Sequence, residues 1–315
     1  MWIHDLEEER IMELSVVVPV FNEEECIESS FTRIKSALNG MKNVELIFVN
    51  DGSRDLTPHK LNSFKGKHAE IEVKVLNFSR NFGHSAAVLA GIEASKGDLV
   101  AIIDADMQDP PELIPQMVKK IHEGHDVVYG LRLSREGETF FKKLSAWFFY
   151  RLINSLASID IPKDAGDFRV MTREVVNAVL SCEDHSPFMR GLVAWVGFRQ
   201  SPFPYHREER KLGTTKYPLR KMIKFAWQAI SSFSNTPLLF ITYLGLGMTV
   251  VSGLIGVWAL KQKINGEVIP GWTSLLLGFL AGNAVTLLML GIMGLYLGKV
   301  IDQVRGRPRY IVKND

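Results

Sequence analysis

Two kinds of hydrophobic pattern divide the chain. From residue 13 to 132, short apolar runs alternate with longer amphipathic stretches. "LSVVVPVF" (14–21), "VELIFVND" (44–51), "IEVKVLNF" (71–78), "DLVAIIDAD" (98–106) and "HDVVYGLR" (125–132) have the length and β-branched content of buried strands. Between the first two, the segment 23–38 places Ile27, Phe31, Ile34 and Leu38 on one helical face, and "HSAAVLAGIEAS" (84–95) reads as another helix. This β-α-β-α order predicts an α/β domain with a parallel, Rossmann-like sheet and helices on both faces. Ligands of such sheets bind outside the carboxyl ends of the strands. Asn22, Asp51, Asp104 and Arg132 fall at or just after predicted strand ends, so polar side chains are expected to converge on one edge.

Past residue 217 the pattern changes. Leu219, Met222, Ile223, Ala226, Trp227, Ile230 and Phe233 lie at helical spacing, with Arg220, Lys221, Lys224, Gln228 and Ser231 on the other face. That profile predicts an amphipathic helix over 218–235 lying flat in a membrane interface. No Asp, Glu, Lys or Arg occurs from Phe225 to Leu260 or from Val268 to Gly298. Each stretch exceeds the roughly 20 residues that cross a bilayer core. They predict a transmembrane hairpin within 236–315, with spans at about 238–260 and 272–298 and a basic tail after them. Lys and Arg crowd 207–224 and 299–313, whereas the connection between spans holds only Lys261 and Lys263. The asymmetry puts both termini and the α/β domain, 13–217, on the cytosolic side of an integral membrane protein. Residues 1–12 are acidic, lack the apolar core of a signal peptide and read as a tail.

Composition adds exclusions. A net charge of +2 over 315 residues points to no nucleic-acid partner. The mean hydropathy of +0.05 is high for a soluble chain, and the two spans account for it. Cys26 and Cys182 have neither zinc-type spacing nor the number needed for a disulfide framework. There is no G-x-x-x-x-G-K-[ST] and no G-x-G-x-x-G, which disfavours a P-loop hydrolase and a conventional dinucleotide dehydrogenase.

Candidate chemistry centres on "DAD". Asp104 and Asp106, two apart in an extended segment, point the same way. Their oxygens suit a hard divalent cation that fills its remaining shell with water and substrate phosphates, and Gln108 offers a neutral oxygen; a solvated turn before Pro110 and Pro111 is the alternative. Two such acids repel each other and resist burial, so a positive partner is expected. Asp51 can accept hydrogen bonds from a base or ribose, and Gly52 permits close backbone approach or positive φ; a plain Asx turn is the alternative. His84 reads as a helix N-terminal residue, with substrate contact as the alternative, and His185 and His206 stand isolated. Glycines 278, 282, 291, 294 and 298 have small-x-x-small spacings that suit helix packing, or face lipid.

Together, "VVVPVFNEEE", "VNDGSRD", "FSRNFGHSAAVLAGIEASKGDLVAIIDADMQDP", "GDFRVM" and "REERKLGTTKYPLRKM" resemble family 2 glycosyltransferases. More narrowly, they are similar to polyprenyl-phosphate hexosyltransferases: the dolichol-phosphate mannose synthases and, given the hairpin, the bacterial bactoprenol glucosyltransferases. The resemblance implies a GT-A-type catalytic domain, a Mg²⁺ or Mn²⁺ cofactor, a nucleotide-sugar donor, a polyprenyl-phosphate acceptor, a bacterial plasma-membrane location and a homo-oligomer, a tetramer. Residue by residue, it implies nucleotide contacts at Pro19, Phe21, Asn22 and Glu23, and base and ribose contacts at Asp51 and Ser53. Asp104, Ala105 and Asp106 match the metal-diphosphate motif, with Gln108 beside it. Arg132 matches a phosphate-binding arginine, Asp167 the catalytic base, and Arg210 and Lys216 a mobile basic loop. The family's common "GESK" reads "GTTK" at 213–216.

These residues suit inverting transfer of a hexose, first choice glucose from UDP-glucose, to undecaprenyl phosphate. GDP-mannose or a UDP-linked aminoarabinose are the alternatives within the class; a membrane-anchored nucleotidyltransferase and an inactive scaffold lie outside it. A phosphate monoester has a second pKa near 6, so most of the acceptor is already a dianion at neutral pH. Asp167 is therefore expected to orient the acceptor more than to deprotonate it.

Overall fold

The computed structural model describes residues 13–68, 71–133, 165–184, 188–208, 236–266 and 271–313. The predicted tail 1–12, the amphipathic helix 218–235, His185, Arg210 and Lys216 lie outside them.

Eight strands form one sheet: β1 (Leu14–Val20), β2 (Val44–Asn50), β3 (Gly66–His68), β4 (Ile71–Asn77), β5 (Leu99–Ile102), β6 (Val127–Arg132), β7 (Ala165–Thr172) and β8 (Gln200–Tyr205). Their order is β3-β4-β2-β1-β5-β7-β6-β8. β4, β2, β1 and β5 run parallel, as their near-continuous apolar runs predict for strands covered on both faces. The sheet as a whole is mixed. β7 inserts antiparallel between β5 and β6, and β3 is antiparallel to β4. "AGDFRVMT" does not read as a central strand because the charged Asp167 and Arg169 interrupt it; in the structure Arg190 pairs with Asp167, and Arg169 donates to the Gly166 and Asp167 carbonyls.

Helices α1 (Ile27–Ala37), α2 (Thr57–Ser63) and α4 (Ile114–His122) lie on one face, and α3 (His84–Ala94), α5 (Arg173–Leu180) and α6 (Met189–Trp195) on the other. Alternation along β1 feeds both layers: Val16 and Val18 pack under α1, Val17 against α3. The α3 contact is close, since a Cβ at Gly91 would sit 2.2 Å from a Val17 methyl. At the opposite end of the sheet from the predicted site, the fully buried Glu45 accepts hydrogen bonds from Ser15 Oγ (2.5 Å), Lys74 Nζ (2.6 Å) and Lys96 N (2.5 Å). One carboxylate thereby ties β1, β2, β4 and the approach to β5.

Two long helices follow, α7 (Thr236–Ile264) and α8 (Trp272–Val304). Their apolar windows, Thr236–Ala259 and Gly278–Val304, overlap the expected spans 238–260 and 272–298, the second displaced six residues toward the C-terminus, and leave their side chains almost wholly uncovered by protein. The glycines of α8 do not line a contact with α7: a Cβ at 278, 282, 291, 294 or 298 meets nothing within 4 Å, while Gly245 of α7 is the position that faces Met289.

Candidate active site

The carboxyl ends of β1, β2, β5 and β6 and the amino end of the antiparallel β7 build one polar edge. Asp51 follows β2 directly and is buried. Its carboxylate accepts from Phe82 N (2.6 Å), Gly83 N (3.0 Å) and Asn81 Nδ2 (2.9 Å), which folds the 81–83 turn over the strand end. Burial raises its pKa even though these amides oppose the shift. Gly52, at φ +67°, lets the two loops touch; a Cβ there would lie 2.4 Å from the Arg80 carbonyl carbon. Asn22 has φ +52°, donates its backbone N–H to Ser53 Oγ (2.9 Å), and accepts from Arg54 N at its side-chain Oδ1 (2.9 Å). Glu23 N donates to Thr57 Oγ1 at 3.0 Å. The loops after β1 and β2 are thus stitched into one wall, with Phe21 exposed on it and Pro19 buried beneath.

β5 ends at Ile102, so Asp104 to Asp106 occupy a turn rather than the extended segment expected. Met107 at φ +60° completes that turn, Ala105 is buried, and Gln108 N donates to Asp106 Oδ1 at 3.2 Å. The Gln108 side chain donates to Glu208 O at 3.3 Å and so ties the turn to the segment after β8. Arg33 of α1 clamps the same region, bonding both Glu112 and Glu208.

The expected positive partners are His84 and Arg207. His84 Nε2 lies 3.2 Å from Asp167 Oδ2 and 3.8 Å from Asp104 Oδ1. Arg207 lies 3.8 Å from Asp106 and 3.4 Å from Asp109, yet its buried Nε has no hydrogen-bond partner. Asp109 is fully buried and accepts from Tyr205 and from Arg132 (3.4 Å). Arg132 also donates to Tyr205 Oη at 3.2 Å and passes close to Gly166, where a Cβ would come 2.5 Å from Nη2.

Asp167 sits on β7 across from the acidic turn. Arg190 of α6 holds its two oxygens through Nε and Nη2, both at 2.9 Å. Burial pushes the Asp167 pKa up, but Arg190 and His84 outweigh it and hold the carboxyl well below its usual range. Asp104 moves the other way: burial and the charges of Asp109, Asp167 and Asp106 raise it against the pull of His84. Burial lowers the His84 pKa, and its carboxylate neighbours more than reverse that.

Asp104 and Asp106 fit a hard divalent cation on this structure's own terms. They are oxygen donors on one turn, and Asp104 is held under excess negative charge that a cation would relieve. Among the described residues no group of three His, Cys, Asp or Glu forms a closed metal cage, so the remaining ligands of such an ion would be water and substrate oxygens.

A family model, Glycosyl transferase family 2, matches residues 15–180. The chain belongs to that family. An uncharacterized glycosyltransferase, YkcC, of Bacillus subtilis is 44% identical over 96% of this chain and 94% of its own length. A bactoprenol glucosyl transferase of Shigella phage SfV is 37% identical over 96% of this chain and 99% of its own. Among solved structures, glucosyl-3-phosphoglycerate synthase from Mycobacterium tuberculosis, in complex with Mn²⁺, UDP and phosphoglyceric acid, is similar with a TM-score of 0.48. It is 20% identical and covers 70% of this chain and 76% of that one. The mixed sheet with helices on both faces is the GT-A-type domain of this glycosyltransferase, and α7 and α8 form its candidate transmembrane hairpin.

Within the glycosyltransferase, Pro19, Phe21, Asn22, Glu23, Asp51 and Ser53 share one wall; Asp104, Ala105, Asp106 and Gln108 share the acidic turn; Arg132 and Asp167 close the far side. Four residues of the edge were not singled out in the sequence: Arg190, Arg207, Asp109 and Tyr205. Asp109 belongs to the quoted "DADMQDP", and Arg207 opens "REERKLGTTKYPLRKM", so both carried a signal. Arg190 and Tyr205 carried none, since their roles exist only through β7 and β8. His84, read mainly as a helix start, is both the first residue of α3 and the bridge between Asp104 and Asp167.

Proposed function

We propose that this glycosyltransferase transfers a hexose, first choice glucose from UDP-glucose, with inversion to a polyprenyl phosphate such as undecaprenyl phosphate at the cytosolic membrane face. The observation that carries the reading is the facing pair of the acidic turn 104–106 and the Asp167–Arg190–His84 cluster on one strand-end edge, in a chain with two uncovered apolar helices. The relatives' names support the acceptor class. The charge pattern of 207–224 and 299–313 supports the orientation.

In this reading the 51–53 and 81–83 wall seats the nucleoside. Asp104 and Asp106 would hold a divalent cation, Mg²⁺ or Mn²⁺, whose chemistry there would be Lewis-acid stabilisation of the diphosphate. Arg207, beside Asp106 and Asp109, faces the same diphosphate, and Arg210 and Lys216 add charge from the following loop. An acceptor phosphate oxygen attacks the anomeric carbon; the bond from that carbon to the diphosphate oxygen breaks, and the nucleoside diphosphate leaves with the electron pair. Attack from the face opposite the leaving group inverts the configuration. Asp167, held ionised, orients the acceptor side through His84 and Arg190 and takes no proton. A single charge pair at 4 Å is worth about 4 kcal/mol at an effective dielectric near 20, so this many cations can neutralise both phosphates.

The test is incubation of membranes carrying the chain with a panel of labelled nucleotide sugars and undecaprenyl phosphate. Label entering the lipid phase with release of UDP is expected. Release of pyrophosphate, or no lipid-linked label from any sugar, overturns the reading. Extraction that needs detergent, and protease access to 299–315 only from the cytosolic side, test the membrane placement.

A further inference from the structure

The segment after α8 returns to the α/β domain. β3 covers only Ile71–Val73 of β4, which leaves the β4 edge open from Lys74 onward. The C-terminal segment pairs with its carboxyl end, along 77–79. Val312 bridges Phe78 antiparallel, Ser79 N donates to Ile311 O at 2.9 Å, and Lys313 N donates to Asn77 O at 2.7 Å. Side chains add anchors. The Tyr310 ring stacks on Phe78 with centroids 5.0 Å and planes 12° apart, and its hydroxyl donates to Glu93 of α3. Arg309 donates to Cys182 O at 2.7 Å, and Gln303 to Glu183 O at 2.5 Å. An open edge is a ready template for an extended segment, and here the chain supplies its own.

What the segment grips is the 78–84 loop. Phe78 packs edge-on against Phe82 at 5.7 Å, and the Arg80 guanidinium lies 3.9 Å over the Phe82 ring. The amides of Phe82 and Gly83 wrap Asp51, and His84 follows with its reach to Asp104 and Asp167. Tyr310, Phe78, Phe82 and His84 therefore form one path from the end of α8 to the acidic turn. Tyr310 lies six positions after Val304, a span of at most about 20 Å, so the loop is tethered near the end of the apolar helix.

We propose that residues 309–313 are a positioning element of the donor site, anchored by Tyr310, which fixes the 78–84 loop against Asp51 and ties it to α8. The proposal rests on the reading above that this edge seats a nucleotide sugar. A loop already ordered by the segment binds without that ordering cost; a released loop must be ordered by the ligand, and affinity falls.

The test compares the full chain with Tyr310→Ala, Tyr310→Phe and a chain ending at Pro308, each in phosphatidylethanolamine–phosphatidylglycerol liposomes with undecaprenyl phosphate. Tyr310→Ala and the truncation are expected to raise the KM for UDP-glucose and the Kd for UDP about tenfold, the scale of ordering a few side chains. The KM for the lipid acceptor should stay within about twofold, and exchange at the Phe82 and Gly83 amides should accelerate. Tyr310→Phe, which keeps the stack, should restore most of the donor affinity. Unchanged donor KM with unchanged protection of those amides overturns the proposal, as does an equal loss in both KM values with a lowered Tm, which marks a merely structural role. A full-length chain that binds no nucleotide at all sinks the functional reading instead, and amide exchange in the same variants still decides the role of the segment.

Discussion

Arg190 donates from Nε and Nη2 to both oxygens of Asp167 at 2.9 Å, a two-pronged ion pair between α6 and β7. Asp167 is about an eighth exposed, with a side-chain accessibility of 13%. Removing Arg190 leaves a largely buried carboxylate with His84 as its main remaining counter-charge. Arg190→Ala is expected to cost about 3 kcal/mol of stability and to lower turnover roughly a hundredfold, an effect of the 2–5 kcal/mol class seen for broken buried charge pairs. Arg190→Lys keeps the charge but not the planar fork, so it should recover only part. Melting temperature and steady-state rates check this; turnover within threefold of the parent in Arg190→Ala counts against it.

The same pair sets a pH expectation. The folded-state pKa of Asp167 lies below its unfolded value. Its ionised form, and the stability the pairing gives, are therefore complete above the unfolded pKa of about 3.9 and are lost only as pH falls through the lower folded value. Across neutral pH, Asp167 does not titrate. Asp167→Asn should lose turnover to the same degree at pH 6 and pH 8.5. Recovery at the higher pH would point to proton abstraction.

Asp104 has the opposite shift, raised by burial and by neighbouring acids. In the cation-free chain it binds a proton more readily than a free carboxyl, and a divalent ion must displace that proton. Mn²⁺ affinity should fall as pH drops into the acid range, and Asp106→Asn should weaken it at every pH. Chelator-treated membranes should lose transfer and regain it with added Mg²⁺ or Mn²⁺. Calorimetric titration at several pH values measures the first effect; a pH-independent Kd argues against it.

Gly52→Ala should act through the backbone. The residue has φ +67°, and the new Cβ would fall 2.4 Å from backbone carbon of Arg80. A positive φ costs a non-glycine residue on the order of 1–2 kcal/mol, and the 80–83 loop must also move off Asp51. Nucleotide affinity should drop at least tenfold while transfer at saturating donor falls less. Fluorescence titration with UDP reads the outcome, and wild-type affinity would rule the contact unimportant.

At the far end of the sheet, burial raises the Glu45 pKa, but Lys74, Ser15 and the Lys96 amide outweigh it, and the net shift is downward. Stability from this group is fully present above the unfolded pKa of about 4.3 and declines as pH falls through the folded value. Glu45→Gln should flatten the acid limb of a stability-against-pH curve. Glu45→Ala should cost about 3 kcal/mol or more, because Lys74 loses its buried partner.

Much of the site was legible because its residues hug strand ends. Asp51 lies one residue after β2, Asp104 two after β5, Asn22 two after β1, and Arg132 ends β6. Apolar runs end where the sheet meets solvent, so the polar residue that stops a run marks the edge. The same logic failed for β7, whose Asp167 is paired by Arg190 and His84 of other elements and whose buried Arg169 donates to the Gly166 and Asp167 carbonyls of its own strand. The extended reading of Asp104 and Asp106 also failed, and the turn weighed as its alternative holds, because Met107 takes a positive φ.

The sequence alone determined the α/β layering of 13–132, the two apolar helices and the identity of the acids at the strand ends. Those follow from local periodicity and from the free energy of hiding apolar side chains, which each segment carries within itself. Only the tertiary structure decided the antiparallel insertion of β7, the Arg190–Asp167 pair, the His84 bridge and the docking of Tyr310 on Phe78. Each joins residues far apart in the chain, and the charge or ring that stabilises one partner comes from an element whose position no local pattern encodes.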